Sequence, residues 1–465
     1  MRPVCGIVFY FYAMKSTKYC LFLLFLFGLD AISAMAQGAN AMDAYFYDVL
    51  CGNQTTADIP VGKQIKRRQV AAARGKVWEA WKRANERYAE EKIIPAMDFP
   101  DMQAGSFTIP ASEEPSAVMP YYHGRKGVRP AGGYPFFLYL HGSGPKQAEW
   151  AAGRQLCERF DDAPSLYFIP QIPNEGEYYR WGQPGKVWVW EKLLRQIMTS
   201  DSVDVDRLYV FGISEGGYGS QRLASFYGDY WAAAGPMAGG EPLCNAPAEN
   251  CGNLAFSLLT GSEDRGFCRN QLTQYTCEAF DSLQRAYPGA YTHRVELMPG
   301  YGHAIDYSHT TTWMKHYVRN PWPKEWRWED FEMYGRRRRG FHNLLVVSRP
   351  DSMLRTYYEM NIKGNHIEMS VRDVHYSTVQ TDPVWGIGLR FARTYMPSVT
   401  GCFRLYLDEH LVNLDKPVML TVNGVKVFEG KLRLDERNML ESLSCFYDPR
   451  RIYPAAIDVD LSLCR

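Results

Sequence analysis

The sequence predicts an α/β domain followed by a β-rich, sandwich-like domain, and three observations carry that reading. Short apolar runs, Phe136-Phe137-Leu138-Tyr139-Leu140, Leu208-Tyr209-Val210-Phe211 and Ala255-Phe256-Ser257-Leu258-Leu259-Thr260, each end in a glycine-containing turn, as buried strands do. After the second run Tyr218, Leu223, Ala224, Phe226 and Tyr227 fall at helix-compatible spacing, so strand, turn and helix succeed one another. Beyond Trp328 the period changes to two, with Ile367, Met369 and Val371, then Trp385, Ile387, Leu389 and Phe391, then Phe403, Leu405 and Leu407 alternating with other residues. With 465 residues and 46% hydrophobic content the chain is long enough for two domains and excludes a disordered or fibrous class.

Taken in order, Lys15 and Lys18 precede the apolar run Leu21 to Phe27, and Ala34-Met35-Ala36 ends a stretch of small residues. That pattern predicts a signal peptide over 1–36, with Met14 a candidate true start and an uncleaved anchor the alternative. The mature chain would then be secreted or periplasmic, with no stable membrane span, since the apolar run is far shorter than the ~20 residues a span needs. Residues 37–104 read as a helical extension in which Val70, Val77, Trp81, Ala84 and Tyr88 make one apolar stripe, expected to pack on the α/β domain that follows. The α/β domain is placed at 105–335, with Phe107 to Ile109 and Val118 to Tyr122 as first strands. The run Arg336 to Arg339 reads as a solvated interdomain segment, and 340–465 as the β-rich domain. Within it Asn423-Gly424, between Val418–Val422 and Val425–Phe428, is a strong hairpin signal.

The candidate chemistry centres on Gly212-Ile213-Ser214-Glu215-Gly216-Gly217, where a Gly-x-Ser-x-Gly pentapeptide directly follows a predicted strand. A serine hydroxyl is a poor nucleophile at neutral pH and needs a base held by an acid. Thr260-Gly261-Ser262-Glu263-Asp264 offers a carboxylate after the next strand, and Pro299-Gly300-Tyr301-Gly302-His303 an imidazole after the one beyond. In this order the chain resembles the α/β-hydrolase superfamily over roughly residues 105–320. The resemblance implies a mostly parallel, doubly wound sheet, with Ser214 as nucleophile, His303 as general base and then acid, and Asp264 fixing the imidazole tautomer. Glu263 is the alternative acid, His309, His316 and His293 are alternative bases, and an ordinary turn serine is the alternative for Ser214. The segment His141-Gly142-Ser143-Gly144-Pro145 lies where the superfamily places its oxyanion loop, which implies backbone N–H donors at Gly142, Ser143 and Glu215. His141 reads as structural.

The resemblance points to a serine carboxylic-ester hydrolase with a small-molecule or carbohydrate-linked ester as substrate, similar to the depolymerase and feruloyl or acetyl esterase branches. A prolyl-oligopeptidase-like peptidase and a non-catalytic binding protein on the same scaffold are the alternatives. Tyr179 and Trp181 are candidate substrate-binding residues, whereas Trp188 and Trp190 read as helix core. A net charge of +1 gives no general attraction to nucleic acid, and no spacing of Cys or His implies a metal or another cofactor. Export would permit disulfides, and pairing within Cys244, Cys251, Cys268 and Cys277 is expected to brace the loops beside Asp264.

Overall fold

The computed structural model describes residues 41–464 apart from 54–58, 60, 61, 94 and 353, so the leader expected over 1–36 lies outside the described residues. Two helices come first, α1 over 41–50 and α2 over Val70–Arg87. A nine-stranded sheet follows, with strands β1 Met97–Asp98, β2 Gln103–Thr108, β3 Val118–Lys126, β4 Tyr134–Leu140, β5 Ser165–Pro170, β6 Val203–Ile213, β7 Ala233–Met237, β8 Ala255–Gly261 and β9 His293–Met298. Its spatial order is β1-β3-β5-β4-β6-β7-β8-β9, with β2 also on β3. From β5 through β9 every pairing is parallel, while β2 and β5 run antiparallel to β3.

Parallel pairing requires crossovers, supplied among others by α3 Lys146–Arg159, α4 Pro184–Thr199, α5 Glu215–Phe226 and α6 Arg269–Ala286, and the short α7 His309–Met314 follows β9. Helices on both faces leave β4, β5, β7 and β8 buried along their whole length, which is why those runs are uninterruptedly apolar in sequence. The ends of β4, β6, β8 and β9 therefore open onto one edge of the sheet, which brings the four loops chosen from sequence together. This is the α/β-hydrolase fold.

The second half holds a six-stranded sheet, β10 Glu325–Asp330, β13 Arg355–Lys363, β14 His366–Thr381, β15 Gly388–Pro397, β17 Val418–Val422 and β18 Val425–Gly430. A four-stranded antiparallel sheet pairs β11 Gly340–Phe341, β12 Leu344–Ser348, β16 Cys402–Leu407 and β19 Ala455–Asp460. Both sheets and helix α8 Glu436–Phe446 bury side chains in one shared core. Asn423 and Gly424 take φ of 49° and 83°, the left-handed pair a two-residue hairpin turn needs, and join β17 to β18 as expected.

Two expectations about the join between the halves are corrected. The stripe of α2 does not pack on the α/β sheet: Val70, Val77, Trp81 and Ala84 lie in the core of the C-terminal sheets, where Trp81 stacks on Tyr447 at 5.8 Å. Amphipathic spacing identifies a buried face but carries no information about which surface covers it. Arg338 of the basic run is buried rather than solvated, with Nη1 2.9 Å from Asp229 Oδ1 and its guanidinium over Tyr227 and Tyr230. Asp229 also receives Arg451 at 2.6 Å, and Asp448 receives Arg319 at 2.7 Å and Arg451 at 2.8 Å. This buried network of five ionised side chains ties the turn after α5 to the C-terminal half. Burial pushes the Asp229 carboxyl up, but Arg338 and Arg451 outweigh it and hold the group well below the usual carboxylate range.

The expected disulfide brace is also corrected, since every cysteine from Cys51 to Cys464 is unpaired. The four candidates face separate surroundings: Cys244 meets Asn245, Cys277 meets Asp281, Cys251 is buried in the core of the α/β half, and Cys268 packs on Leu272 and Leu389. Among the described residues no helix is long and apolar enough to cross a membrane.

Candidate active site

The turn from β6 into α5 holds Ser214 at φ 56°, ψ −114°, a conformation a non-glycine residue adopts only when its surroundings impose it. The flanking glycines explain how. A Cβ on Gly216 would stand 1.9 Å from the Leu140 carbonyl oxygen, and one on Gly217 would stand 2.4 Å from that of Met237. Backbone from β4 and β7 thus closes on both sides of the turn, and the Ser214 N–H donates to Met237 O at 2.9 Å.

The three residues chosen from separate loops meet here. His303 Nε2 lies 2.9 Å from Ser214 Oγ, and His303 Nδ1 lies 2.7 Å from Asp264 Oδ2. A carboxylate only accepts, so Nδ1 carries the proton, and Nε2 is free to accept from the serine hydroxyl. Burial pushes the Asp264 carboxyl up, but hydrogen bonds from Arg269 and His303 overcome that and keep it below its ordinary range. The alternatives fall elsewhere: Glu263 is exposed and pairs with Arg265, His309 with Asp306, and His293 with Asp281.

Sequence reasoning missed Arg269, which grips Asp264 with both arms of its guanidinium. Nε donates to Oδ2 at 2.8 Å and Nη2 to Oδ1 at 2.7 Å, which fixes the plane of the carboxylate that orients His303. Helix α6 begins only at Arg269, because Phe267 and Cys268 sit at φ 53° and 58° and turn the chain first. A helical spacing argument from Asp264 therefore has no way to place Arg269.

On the opposite side of Ser214 the loop after β4 passes so close that a Cβ on Gly142 would stand 3.5 Å from that of Ser214. Ser143 faces the same cavity, and Glu215 heads α5, whose first N–H groups have no partner within the helix. His141 is structural as expected. Its Nε2 accepts the Ile172 N–H at 3.0 Å, Nδ1 donates to Gly142 O at 2.7 Å, and burial lowers its pKa to about 4, so it stays neutral.

Tyr179 requires a correction. It is buried, and its hydroxyl lies 2.8 Å from Gly142 O and 3.0 Å from Gly144 O. It braces the loop beside Ser214 instead of meeting a substrate, because a phenol reaching the end of β4 finds unpaired carbonyls there. Trp181 stands in the cavity wall, with Nε1 bonded to His141 O at 3.1 Å, while Trp190 belongs to the core and Trp188 packs against it, as expected.

The cavity over Ser214 has a volume of about 420 Å³. Its charged lining comprises Arg180, Glu215, Arg222, Glu241 and Arg269. Arg222 is engaged by Glu241 at 2.5 Å, whereas Arg180, about half exposed, reaches Glu215 at 3.2 Å. Burial pushes the Glu215 carboxyl up to about 7, opposed by Arg180 and Arg222. Ile387, from the C-terminal half, also lines this cavity.

Strand order and strained turn define an α/β-hydrolase fold, with Ser214, His303 and Asp264 hydrogen-bonded in one chain at its sheet edge. No protein-family model matches the chain. It is 26% identical over 168 residues to feruloyl esterase B of Thermothelomyces thermophilus, an alignment covering 34% of this chain. The chain spans 55% of the length of that relative. Among solved structures it is similar to a thermostable esterase, at TM-score 0.37 and 18% identity over 47% of this chain and 63% of that one. It is also similar to a ferulic acid esterase of Anaeromyces mucronatus, at TM-score 0.33 and 13% identity over 48% and 92% of the two chains.

Proposed function

We propose that the protein is a serine carboxylic-ester hydrolase working through an acyl-enzyme. The observation that carries the proposal is the continuous chain from Ser214 Oγ to His303 at 2.9 Å and on to Asp264 at 2.7 Å, set on a strained strand-to-helix turn. Ser214 Oγ attacks the ester carbonyl carbon while its proton passes to His303 Nε2. The carbonyl oxygen gathers negative charge toward the Glu215 N–H and the Gly142–Ser143 backbone. Collapse breaks the C–O bond to the alcohol, which leaves with the proton from His303. Water then adds to the acyl-enzyme by the same steps in reverse, giving the acid and free Ser214.

The choice of an ester over a peptide bond follows the likeness to feruloyl esterase B, and with it we propose an acyl group on carbohydrate as the substrate class. Export is proposed from the leader pattern over 1–36 alone.

The test is labelling by a fluorophosphonate together with turnover of p-nitrophenyl esters, acylated oligosaccharides and aminoacyl-anilides. The wild type and Ser220→Ala should label and Ser214→Ala should not. Persistent labelling of Ser214→Ala, or turnover confined to the anilides, would overturn the reading.

A further inference from the structure

Strands β14 and β15 run on past the six-stranded sheet as a two-stranded arm. Residues 366–374 of β14 pair with β13 on one side and, over 366–369 and 372–374, with β17 or β15 on the other, whereas from His375 to Thr381 the strand pairs with β15 alone. A bare two-stranded ribbon is marginal in water, so it needs a surface to lie on. The arm finds one on α6 and the turn before it. Leu389 and Ile387 pack on Cys268, Leu272 and Tyr275, Arg390 pairs with Glu278 at 2.9 Å, and Gln380 accepts from the Tyr275 hydroxyl at 3.3 Å.

The tip, residues 382–387, is held in one shape. Asp382 Oδ2 accepts from the N–H groups of Val384 and Trp385 at 3.0 and 2.6 Å, and Asp382 N donates to Ile387 O at 2.8 Å. Trp385 is thereby placed 4.4 Å, centroid to centroid, from Phe267. Phe267 and Cys268 both take left-handed backbone, at φ 53° and 58°, in the turn just before α6. Phe267 is 47% exposed and Trp385 50%. Side by side they make a contiguous exposed apolar patch, the kind of surface that marks a ligand or partner site. Phe267 and Ile387 line the cavity that contains Ser214, so this aromatic face is the outward continuation of the same cavity.

We propose that Phe267 and Trp385 form an outer subsite that stacks on a sugar ring of the alcohol side of an ester whose carbonyl sits at Ser214. The inference rests on the ester-hydrolase reading and assigns its specificity to the arm of the C-terminal half. A sugar ring fits a wet, half-exposed aromatic face because it offers C–H groups to the ring plane while its hydroxyl edges stay in water. The acyl group then lies inward, toward Trp181 and Leu272 in the cavity wall.

The experiment compares wild type, Trp385→Ala and Trp385→Phe on a feruloylated xylo-oligosaccharide, p-nitrophenyl ferulate and p-nitrophenyl acetate. Calorimetric titration of Ser214→Ala, with and without Trp385→Ala, by an unsubstituted xylo-oligosaccharide measures binding without turnover. Trp385→Ala should raise KM for the oligosaccharide ester about fivefold to tenfold, leave both p-nitrophenyl esters within twofold and weaken sugar binding in the titration by a similar factor. Trp385→Phe should restore most of the affinity. Equal losses on all three esters would make the arm structural, a loss on p-nitrophenyl ferulate but not acetate would place the acyl group on Trp385, and unchanged KM would leave the pair without a ligand; each overturns the subsite. If the wild type turned over no ester at all, the parent reading would fall, and sugar binding that depends on Trp385 would still report on the subsite separately.

Discussion

Replacing Glu215 by glutamine should make the protein more stable at neutral pH and leave it unchanged in acid. The carboxyl is 8% exposed, next to Ser214, and burial raises it from 4.5 to about 7. At ~1.4 kcal/mol for each tenfold change in proton affinity, that rise corresponds to roughly 3 kcal/mol. The folded chain therefore holds a proton that the unfolded chain releases once the pH passes about 4.5. Stability contributed by this group falls from there until about pH 7, above which both states are ionised and the loss is constant. Glutamine has the same shape and no charge, so it escapes the loss. Melting temperatures measured from pH 4.5 to 8.5 should coincide at the acid end and diverge above it, with Glu215→Gln higher by about 3 °C at pH 8, since the melting entropy of a chain this long spreads ~3 kcal/mol over few degrees. The exposed Glu263→Gln serves as control and should track the wild type. A difference that does not change with pH, or one that favours the wild type in alkali, would refute the assignment of a buried, destabilised carboxylate beside the nucleophile.

Two further outcomes test the site and the join. Asp264→Asn should lose roughly 10⁴-fold in kcat through the wrong imidazole tautomer, while Glu263→Gln and His309→Ala keep most activity in the same ester assay. Arg338→Met should lower stability by about 3 kcal/mol in thermal unfolding, since it strips one partner from the buried Asp229 carboxylate; adding Asp229→Asn should recover part of that, and a loss under ~1 kcal/mol would show that Arg451 alone suffices.

The site was legible in sequence because its signals are local. Ser214 sits among glycines whose spacing states the turn, and Asp264 and His303 each follow an apolar run by a few residues, so strand order carries all three to one edge. Tyr179 and Trp181 were indistinguishable by the same reasoning, since two neighbouring aromatics have one composition and two fates. Both donate to carbonyls just past the end of β4, and the path of the loop after β5 decides that Trp181 and not Tyr179 also lines the cavity. The basic run misled for a related reason. Four consecutive arginines read as solvated, but Glu113, Glu332 and Asp229, distant or near in sequence, take Arg336, Arg337 and Arg338 one by one. Period-two alternation at Trp385 to Phe391 identified β structure, yet Trp385 and Ile387 belong to the tip of the arm, where the apolar face serves α6 and the cavity instead of a sandwich core.

The way α1 and α2 pack changes what the C-terminal half can be asked to do. Tyr45, Phe46, Val77 and Trp81 share one core with both C-terminal sheets, so the chain's first described helices and its last strand close a single body around which the α/β sheet is threaded. Cutting after about residue 335 would strip the covering from Trp81 and leave Asp229 buried without Arg338 or Arg451, exposing apolar surface and an unpaired charge together. A truncated chain would then lose activity on small and large esters alike for reasons of folding. The contribution of this half to substrate choice is separable only at the arm, whose tip is tied by Asp382 to its own backbone and touches the α/β half through Trp385, Ile387 and Leu389. Substitutions there change the outer wall of the cavity while the shared core and the ionic join stay intact, and a selective effect on large substrates can be read only under that condition.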